Sequence, residues 1–247
     1  MQFLPEPWMD FVAVIVTSVL LSLLAYKFDL LTKSGCIAAL IVGSVIGILG
    51  SFSWLLLLIV FTLLGFIATV IGLSKKKEKG LQEGTHGERT YKNVLGVGLP
   101  CIVFALINVL TNDVYYHQMM IGYISTIAVA AADTAASELG VRDDRTYLIT
   151  TFKRVPPGTD GGISPLGTLV CILASVVVTV IGWATINLTI FDVEIFLPMI
   201  AGVFGCMLDS VLGATLERKG IINKYTNNCI TGILGAALAV ALSFMFF

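Results

Sequence analysis

The sequence predicts an all-α polytopic membrane protein of about eight transmembrane helices, one domain over residues 1–247, with the N-terminus and C-terminus outside. Three observations predict it. Hydrophobic residues make up 57% of the chain and charged residues 13%, with a mean hydropathy of +0.94, a composition that soluble domains rarely show. The apolar residues come in runs near the ~20 residues a helix needs to cross a bilayer. The 15 Lys and Arg residues all fall in four alternate loops between those runs.

The runs cover roughly 8–26, 34–50, 53–73, 94–110, 118–140, 164–187, 194–216 and 227–247. The first lacks a basic leader, and Glu6 and Asp10 flank its start, so it reads as a retained helix rather than a signal peptide. The second carries Gly43-x-x-x-Gly47, which lets a helix approach a neighbour closely, within one chain or in a homodimer. The second and fourth runs are near the short limit, which leaves one of them open to a re-entrant path. The third ends in the Lys75–Lys79 run, read as a topology signal or a contact with anionic lipid. Helix six begins at Ser164, an N-cap, with Pro165 at the first helical position. Asn227 and Asn228 both suit the cap of helix eight.

Charge then sorts the loops. Lys27 and Lys33 lie between spans one and two, and the Lys75–Lys79 run, Arg89 and Lys92 between three and four. Arg142, Arg145, Lys153 and Arg154 lie between five and six, and Arg218, Lys219 and Lys224 between seven and eight. The positive-inside rule assigns these loops to the cytoplasm. Trp8, Trp54 and Trp183 lie towards the opposite helix ends, as an outer aromatic belt would. In a prokaryotic cell this places the chain in the plasma membrane.

The chemistry concentrates on the basic side. Asp133 lies seven residues before Gly140 near the end of span five, and Asp209 eight residues before Glu217 near the end of span seven. Both are thus set roughly 10–12 Å into the bundle at 1.5 Å per residue. Acids in apolar spans face a polar interior or a partner, and two at one depth suit a cluster holding Mg²⁺. Glu138 is the third carboxylate candidate as a metal ligand. Asp133 and Ser137, and likewise Thr134 and Glu138, are four apart, so each pair shares a helix face. One face suits a ligand and the other a neighbouring helix.

Between spans five and six lies FKRVPPGTDGGISP, a basic, Gly-rich loop running into a helix start. Gly158, Thr159, Asp160, Gly161 and Gly162 then suit a phosphate held at a helix N-terminus, with Lys153 and Arg154 neutralising its charge. Arg89, Lys92 and Asn93, at the head of span four, are further phosphate-binding candidates. Cys36, Cys101, Cys171, Cys206 and Cys229 show no metal-type spacing and read as packing residues. His86 and His117 fall on opposite sides and share no site. There is no Walker lysine motif, GxSxG elbow or nucleic-acid module. The active-site face is therefore expected to be cytoplasmic, for metal-assisted phosphate chemistry without a nucleic-acid partner.

The motifs DTAASELG, FKRVPPGTDGGISPLGT and LDSVLGATLERKG…YTNN resemble those of the integral-membrane phytyl-phosphate kinases of the vitamin E pathway, a family with bacterial, archaeal and transmembrane protein nineteen-like animal relatives. The resemblance covers nearly the whole chain. It implies a CTP-dependent kinase that converts an isoprenyl monophosphate, phytyl- or geranylgeranyl-like, to the diphosphate. By motif it implicates Asp133, Thr134, Ser137 and Glu138, then Lys153, Arg154, Pro156, Gly158, Thr159, Gly161 and Gly162, then Asp209, Ser210, Gly213, Asn227 and Asn228. Near span four the chain has Asn93-Val94-Leu95-Gly96-Val97-Gly98 where the resemblance leads one to expect a QVLANGG-like stretch, so no base-recognition role carries over there. Two rival readings are a cytidylyltransferase that forms a CDP-lipid and a secondary transporter, which should show inverted repeats and midplane sites.

Overall fold

The computed structural model describes residues 7–82, 87–188 and 192–246. Glu6, His86 and the last residue of the eighth run lie outside the described residues. The described chain forms eight α-helices: α1 Pro7–Lys27, α2 Lys33–Leu49, α3 Phe52–Glu78, α4 Tyr91–Leu110, α5 Tyr116–Leu139, α6 Pro165–Gly182, α7 Phe196–Leu212 and α8 Lys224–Phe246. Seven helical segments are long and apolar enough to cross a membrane, and α2, with 17 residues, is the shorter eighth. Helix α4 is longer than its apolar run because Tyr91, Lys92 and Asn93 form its first turn.

Helix α5 is the axis of the bundle. It packs against α3, α4, α6, α7 and α8, and Met120, Ile121, Tyr123, Ile124 and Ile127 are fully buried. An ordinary amphipathic helix keeps one polar face in water; this one is enclosed because small residues line its approaches. A Cβ on Gly205 or Gly235 would run into Val129, and one on Gly182 would run into Leu57 and crowd Ile124. The Gly43-x-x-x-Gly47 pair is used within the chain: Gly43 faces Ser18 of α1 and Leu55 of α3, and Gly47 lies against Val14 of α1.

The tryptophans depart from the expected belt. Trp8 is exposed, but Trp54 and Trp183 are fully buried. Trp54 stacks on Tyr123 with ring centroids 4.3 Å apart, and the Tyr123 hydroxyl donates to the Trp54 carbonyl at 2.5 Å. Trp183 meets His117 edge-on at 6.2 Å. Their place in the sequence, near helix ends, is right for a belt; their faces turn inward to fill the space around α5. His117 Nε2 lies 2.5 Å from Glu194 Oε2, and the Ser243 hydroxyl donates to Glu194 Oε1 at 2.8 Å. These contacts join the start of α5, the residues before α7 and the end of α8 at one end of the bundle.

At the other end the four basic loops come together. Thr32 N donates to the Arg89 carbonyl and Arg89 N to the Leu30 carbonyl, zipping the α1–α2 loop to the α3–α4 loop. Lys79 Nζ donates to the Val141 carbonyl at 2.9 Å and to Asp144 at 2.8 Å, tying α3 to the α5–α6 loop. That loop contains a short antiparallel pair, β1 Tyr147–Leu148 and β2 Gly162–Ile163. The basic residues thus share one end of the bundle, as the charge pattern requires of any topology that puts them on one side.

Gly47→Val tests the α1–α2 contact. A Cβ there would sit 2.5 Å from a Val14 methyl, so the variant should lose about 1–3 kcal/mol to overpacking. Thermal unfolding in detergent should show the loss, whereas Gly43→Ala, with ordinary contacts of 3.4 Å, should be near neutral.

Candidate functional site

The basic end encloses a cavity of about 220 Å³. Its wall takes Lys76 from the end of α3, Asp133 and Ser137 from α5, Ser164 and Gly167 from the start of α6, Asp209 and Ser210 from α7, and Lys224 from the start of α8. Gly158–Gly162 form its loop wall. Five helices therefore meet in one polar chamber, and two acids distant in sequence, Asp133 and Asp209, share it.

The two faces of α5 separate as their spacing predicts. Asp133, Ala136, Ser137 and Gly140 look into the cavity. Thr134 and Glu138 look towards α3: the Thr134 methyl lies beside Gly65, and Lys76 Nζ lies 2.9 Å from Glu138 Oε2. The Lys76–Glu138 pair is an ion pair whose alignment falls short of a hydrogen bond. Arg89 Nη2 stands 3.7 Å from the other Glu138 oxygen and receives little exposure itself. The three-carboxylate metal set is accordingly not assembled. Among the described residues no group of three or more His, Cys, Asp or Glu side chains is placed to hold a metal ion; Glu138 is occupied by cations on a different helix face.

Asp133 and Asp209 remain as a converging pair, close enough to interact electrostatically, with Lys224 the cation acting most strongly on Asp133. Mg²⁺ is commonly held by one or two carboxylates together with substrate phosphates. A pair of half-buried, mutually repelling carboxylates on one polar cavity fits that requirement.

Asn227 and Asn228 act on Asp209 rather than line the cavity. Asn227 Nδ2 donates to the Asp209 carbonyl at 3.1 Å and to Glu217 Oε2 at 3.3 Å. The Asn228 amide, in the orientation that satisfies both its ends, donates to Asp209 Oδ2 at 3.3 Å and to the Lys224 carbonyl at 2.9 Å. Thr231 Oγ1 reaches the same carboxylate oxygen at 3.4 Å. The start of α8 is capped by Asn223, whose Oδ1 accepts from Tyr225 N and Thr226 N, which leaves Asn227 and Asn228 for Asp209. Asn223 supplies the cap because α8 begins a turn earlier than its apolar run.

The loop and helix α6 are also more closely defined than expected. Ser164 is the N-cap and Pro165 opens the helix. Yet the α6 amides are already committed. Leu166 N donates to Asp143 Oδ2, Gly167 N to Ser164 Oγ, and Thr168 N to the Ser164 carbonyl. The helix N-terminus therefore offers a ligand its dipole but not its N–H groups. In the loop, Thr159 N and Gly162 N are satisfied internally. Among the described residues, no backbone bond engages the N–H groups of Gly158, Asp160 or Gly161, so these are the donors that suit a phosphate. Gly158 and Gly161 have φ of +85° and +76°, the left-handed region where glycine carries no Cβ penalty. Gly161 also lies where a Cβ would stand 2.6 Å from the Ser210 carbonyl, so the loop is pressed onto α7.

Lys153 and Arg154 are exposed on the outer side of the hairpin and do not line the cavity. Arg154 Nη2 instead reaches the Asp144 carbonyl at 3.4 Å. Asn93 is spent on a capping box, its Oδ1 accepting from Thr90 N at 2.9 Å. Lys92 lies over the Tyr225 ring at 5.8 Å. Among the charged residues of the cavity, Lys76 and Lys224 read in the sequence as topology charges, and Glu217 carries no site reading. The signal for Lys76 is its spacing of three from Lys79, which gives a helical run of lysines one inward face.

The comparisons agree with the family expected from the motifs. The family described as integral membrane protein DUF92 matches residues 16–242. An uncharacterized membrane protein of Methanocaldococcus jannaschii is 37% identical over 94% of this chain and 93% of its own length. An uncharacterized membrane protein of Synechocystis is 33% identical over 98% of this chain and 93% of its own. Protein VTE6, a chloroplastic protein of Arabidopsis thaliana, is 28% identical over 84% of this chain and 62% of its own. No solved structure matches.

The Asp143–Leu166 contact yields a pH prediction. The Arg145 side chain holds the Asp143 carboxyl down at about 2, below the ordinary value of roughly 3.9. A depressed pKa contributes stability that is complete above about pH 4 and is lost as pH falls through about 2. Amide exchange at Leu166, corrected for intrinsic rates, should accelerate over that window. Asp143→Asn should show no such step.

Proposed function

Because the chain belongs to the DUF92 family of integral membrane proteins, we propose that it is a CTP-dependent kinase. In this reading it transfers the γ-phosphoryl group of CTP to an isoprenyl monophosphate and releases the isoprenyl diphosphate and CDP. The observation that carries the reading is the shared cavity: Asp133, Asp209 and the Gly158–Gly162 loop face one another at one end of a membrane bundle. The cytidine nucleotide and the isoprenyl acceptor are supported by the motif resemblance described above. A transporter is less well supported, because its site belongs near the bilayer midplane and this cavity is built from helix ends.

The chemistry asked of the chain is modest. Phosphoryl transfer depends on positioning and on neutralising charge. An oxygen of the acceptor monophosphate attacks the γ-phosphorus, and the bond from that phosphorus to the β–γ bridging oxygen breaks, with CDP as leaving group. The acceptor is already ionised at neutral pH, so no side chain is needed as general base. The loop amides of Gly158, Asp160 and Gly161 hold phosphate oxygens, and Lys224 faces the charge that builds during transfer. Asn227, Asn228 and Thr231 keep Asp209 turned inward. Asp133 and Asp209 would hold Mg²⁺, which would supply charge neutralisation. The basic end, and hence the cavity, is assigned to the cytoplasm, where CTP is available.

Purified protein given CTP, Mg²⁺ and a panel of isoprenyl alcohols and monophosphates should form CDP and the diphosphate, read by mass spectrometry. Pyrophosphate with a CDP-lipid would identify a cytidylyltransferase instead. Asp133→Asn and Asp209→Asn should each lower turnover by about 10²-fold or more while the protein stays folded in the membrane; near-normal rates in both would sink the assignment. Lys224→Met should raise the KM for CTP by roughly 10-fold, the scale of one charge-assisted hydrogen bond.

A further inference from the structure

A second, apolar cavity of about 360 Å³ lies between α1, α2, α3 and α4. Leu24, Phe28 and Leu63 on its rim are among the exposed large apolar side chains, so it opens towards the surrounding hydrocarbon. Along α3 it runs from Leu55 to Gly65, about 15 Å at 1.5 Å per residue, or roughly half of a ~30 Å hydrocarbon core. Arg89, at the basic end of the bundle, is part of its lining. Among the described residues, Arg89 Nη2 has long contacts, 3.4 Å to Thr69 Oγ1 and 3.7 Å to Glu138 Oε1. A guanidinium with long contacts in the lining of an apolar groove is complementary to a planar or tetrahedral anion attached to an apolar tail.

Only a small crevice, about 10 Å³, separates the groove from the polar cavity. The crevice, between α4, α5 and α8, is lined by Val97, Asp133 and Asn228. Val97 is shared with the groove and Asp133 with the polar cavity. Val97 of α4 thus stands between the groove and Asp133.

We infer that this groove is the acceptor site, holding the single apolar chain of a lipid monophosphate with its phosphate on Arg89. The inference rests on the phosphoryl-transfer reading for the headgroup, while the apolar lining itself fixes the tail. The volume is at the lower end of the ~300–1,000 Å³ range of small-molecule sites, which suits one chain better than a two-chain bilayer phospholipid. Arg89 favours a terminal monophosphate over the diester of a bilayer lipid, which carries less charge and has fewer free oxygens. The acceptor then approaches Asp133 from the α4 side while CTP occupies the loop side, and the two reacting phosphates meet at the carboxylates from opposite directions.

The test uses the full chain in nanodiscs and an isoprenyl monophosphate with a photoactivatable group near the end of its tail. Irradiation should place adducts on α1 and α3 residues such as Leu21 and Leu58. Unlabelled isoprenyl monophosphate should compete at least tenfold better than the matching alcohol. Arg89→Gln should shrink that preference to about twofold or less, and Ala39→Trp, which fills the groove from α2, should lower labelling at least fivefold. Melting temperatures near wild type establish that the variants are folded. Adducts on α6 or α7, equal competition by the alcohol in the wild type, or unchanged labelling of Ala39→Trp each overturn the inference. Groove labelling without any turnover of CTP would retain the lipid site and remove the kinase reading; turnover with adducts elsewhere would do the reverse.

Discussion

Two carboxylates set inside the end of an apolar bundle are the constraint that the rest of the structure serves. An acid in a membrane span is costly unless it meets water, a cation or hydrogen-bond donors, and two acids facing each other add repulsion. The structure meets this by bringing helix ends together. Lys76 and Lys224 arrive from α3 and α8, Asn227 and Asn228 hold the α7 acid, and a glycine loop keeps the chamber polar. The close packing of α5 with its neighbours is the other side of the same arrangement, since a wider bundle would not bring Asp133 and Asp209 onto one cavity.

The pairing on the far face of α5 is as informative as the cavity itself. Glu138 lies five residues beyond Asp133 and pairs with Lys76 and, at longer range, Arg89. Those contacts fix the rotation of α5 about its axis, and with it the direction of Asp133. They also place Arg89 in the lining of the apolar groove.

Much of this was legible in the sequence because it follows from period and charge. The eight apolar runs, the sorting of the basic loops, the Asp133/Ser137 face and the Ser164–Pro165 helix start are local patterns, and the helices carry them faithfully. What was not legible depends on partners distant in the chain. Trp54 and Trp183 sit where belt residues sit, but only the position of Tyr123 and His117 shows that they turn inward. The α6 amides look available until Asp143, more than twenty residues earlier, is seen to take one of them. Lys153 and Arg154 are close to the Gly158–Gly162 loop in sequence, yet they are exposed and off the cavity, and Lys224, which reads as a topology charge, takes the cavity place instead.

The enclosure of α5 bears on how the protein is made. Its neighbours include α3 and α4, synthesised before it, and α6, α7 and α8, synthesised after it. When α5 enters the bilayer, the helices that carry Asp209 and Lys224 do not yet exist, so Asp133 must wait beside Lys76 and Arg89 with half of its surroundings missing. Because α8 supplies Lys224, the polar chamber cannot be complete until the last helix has been made.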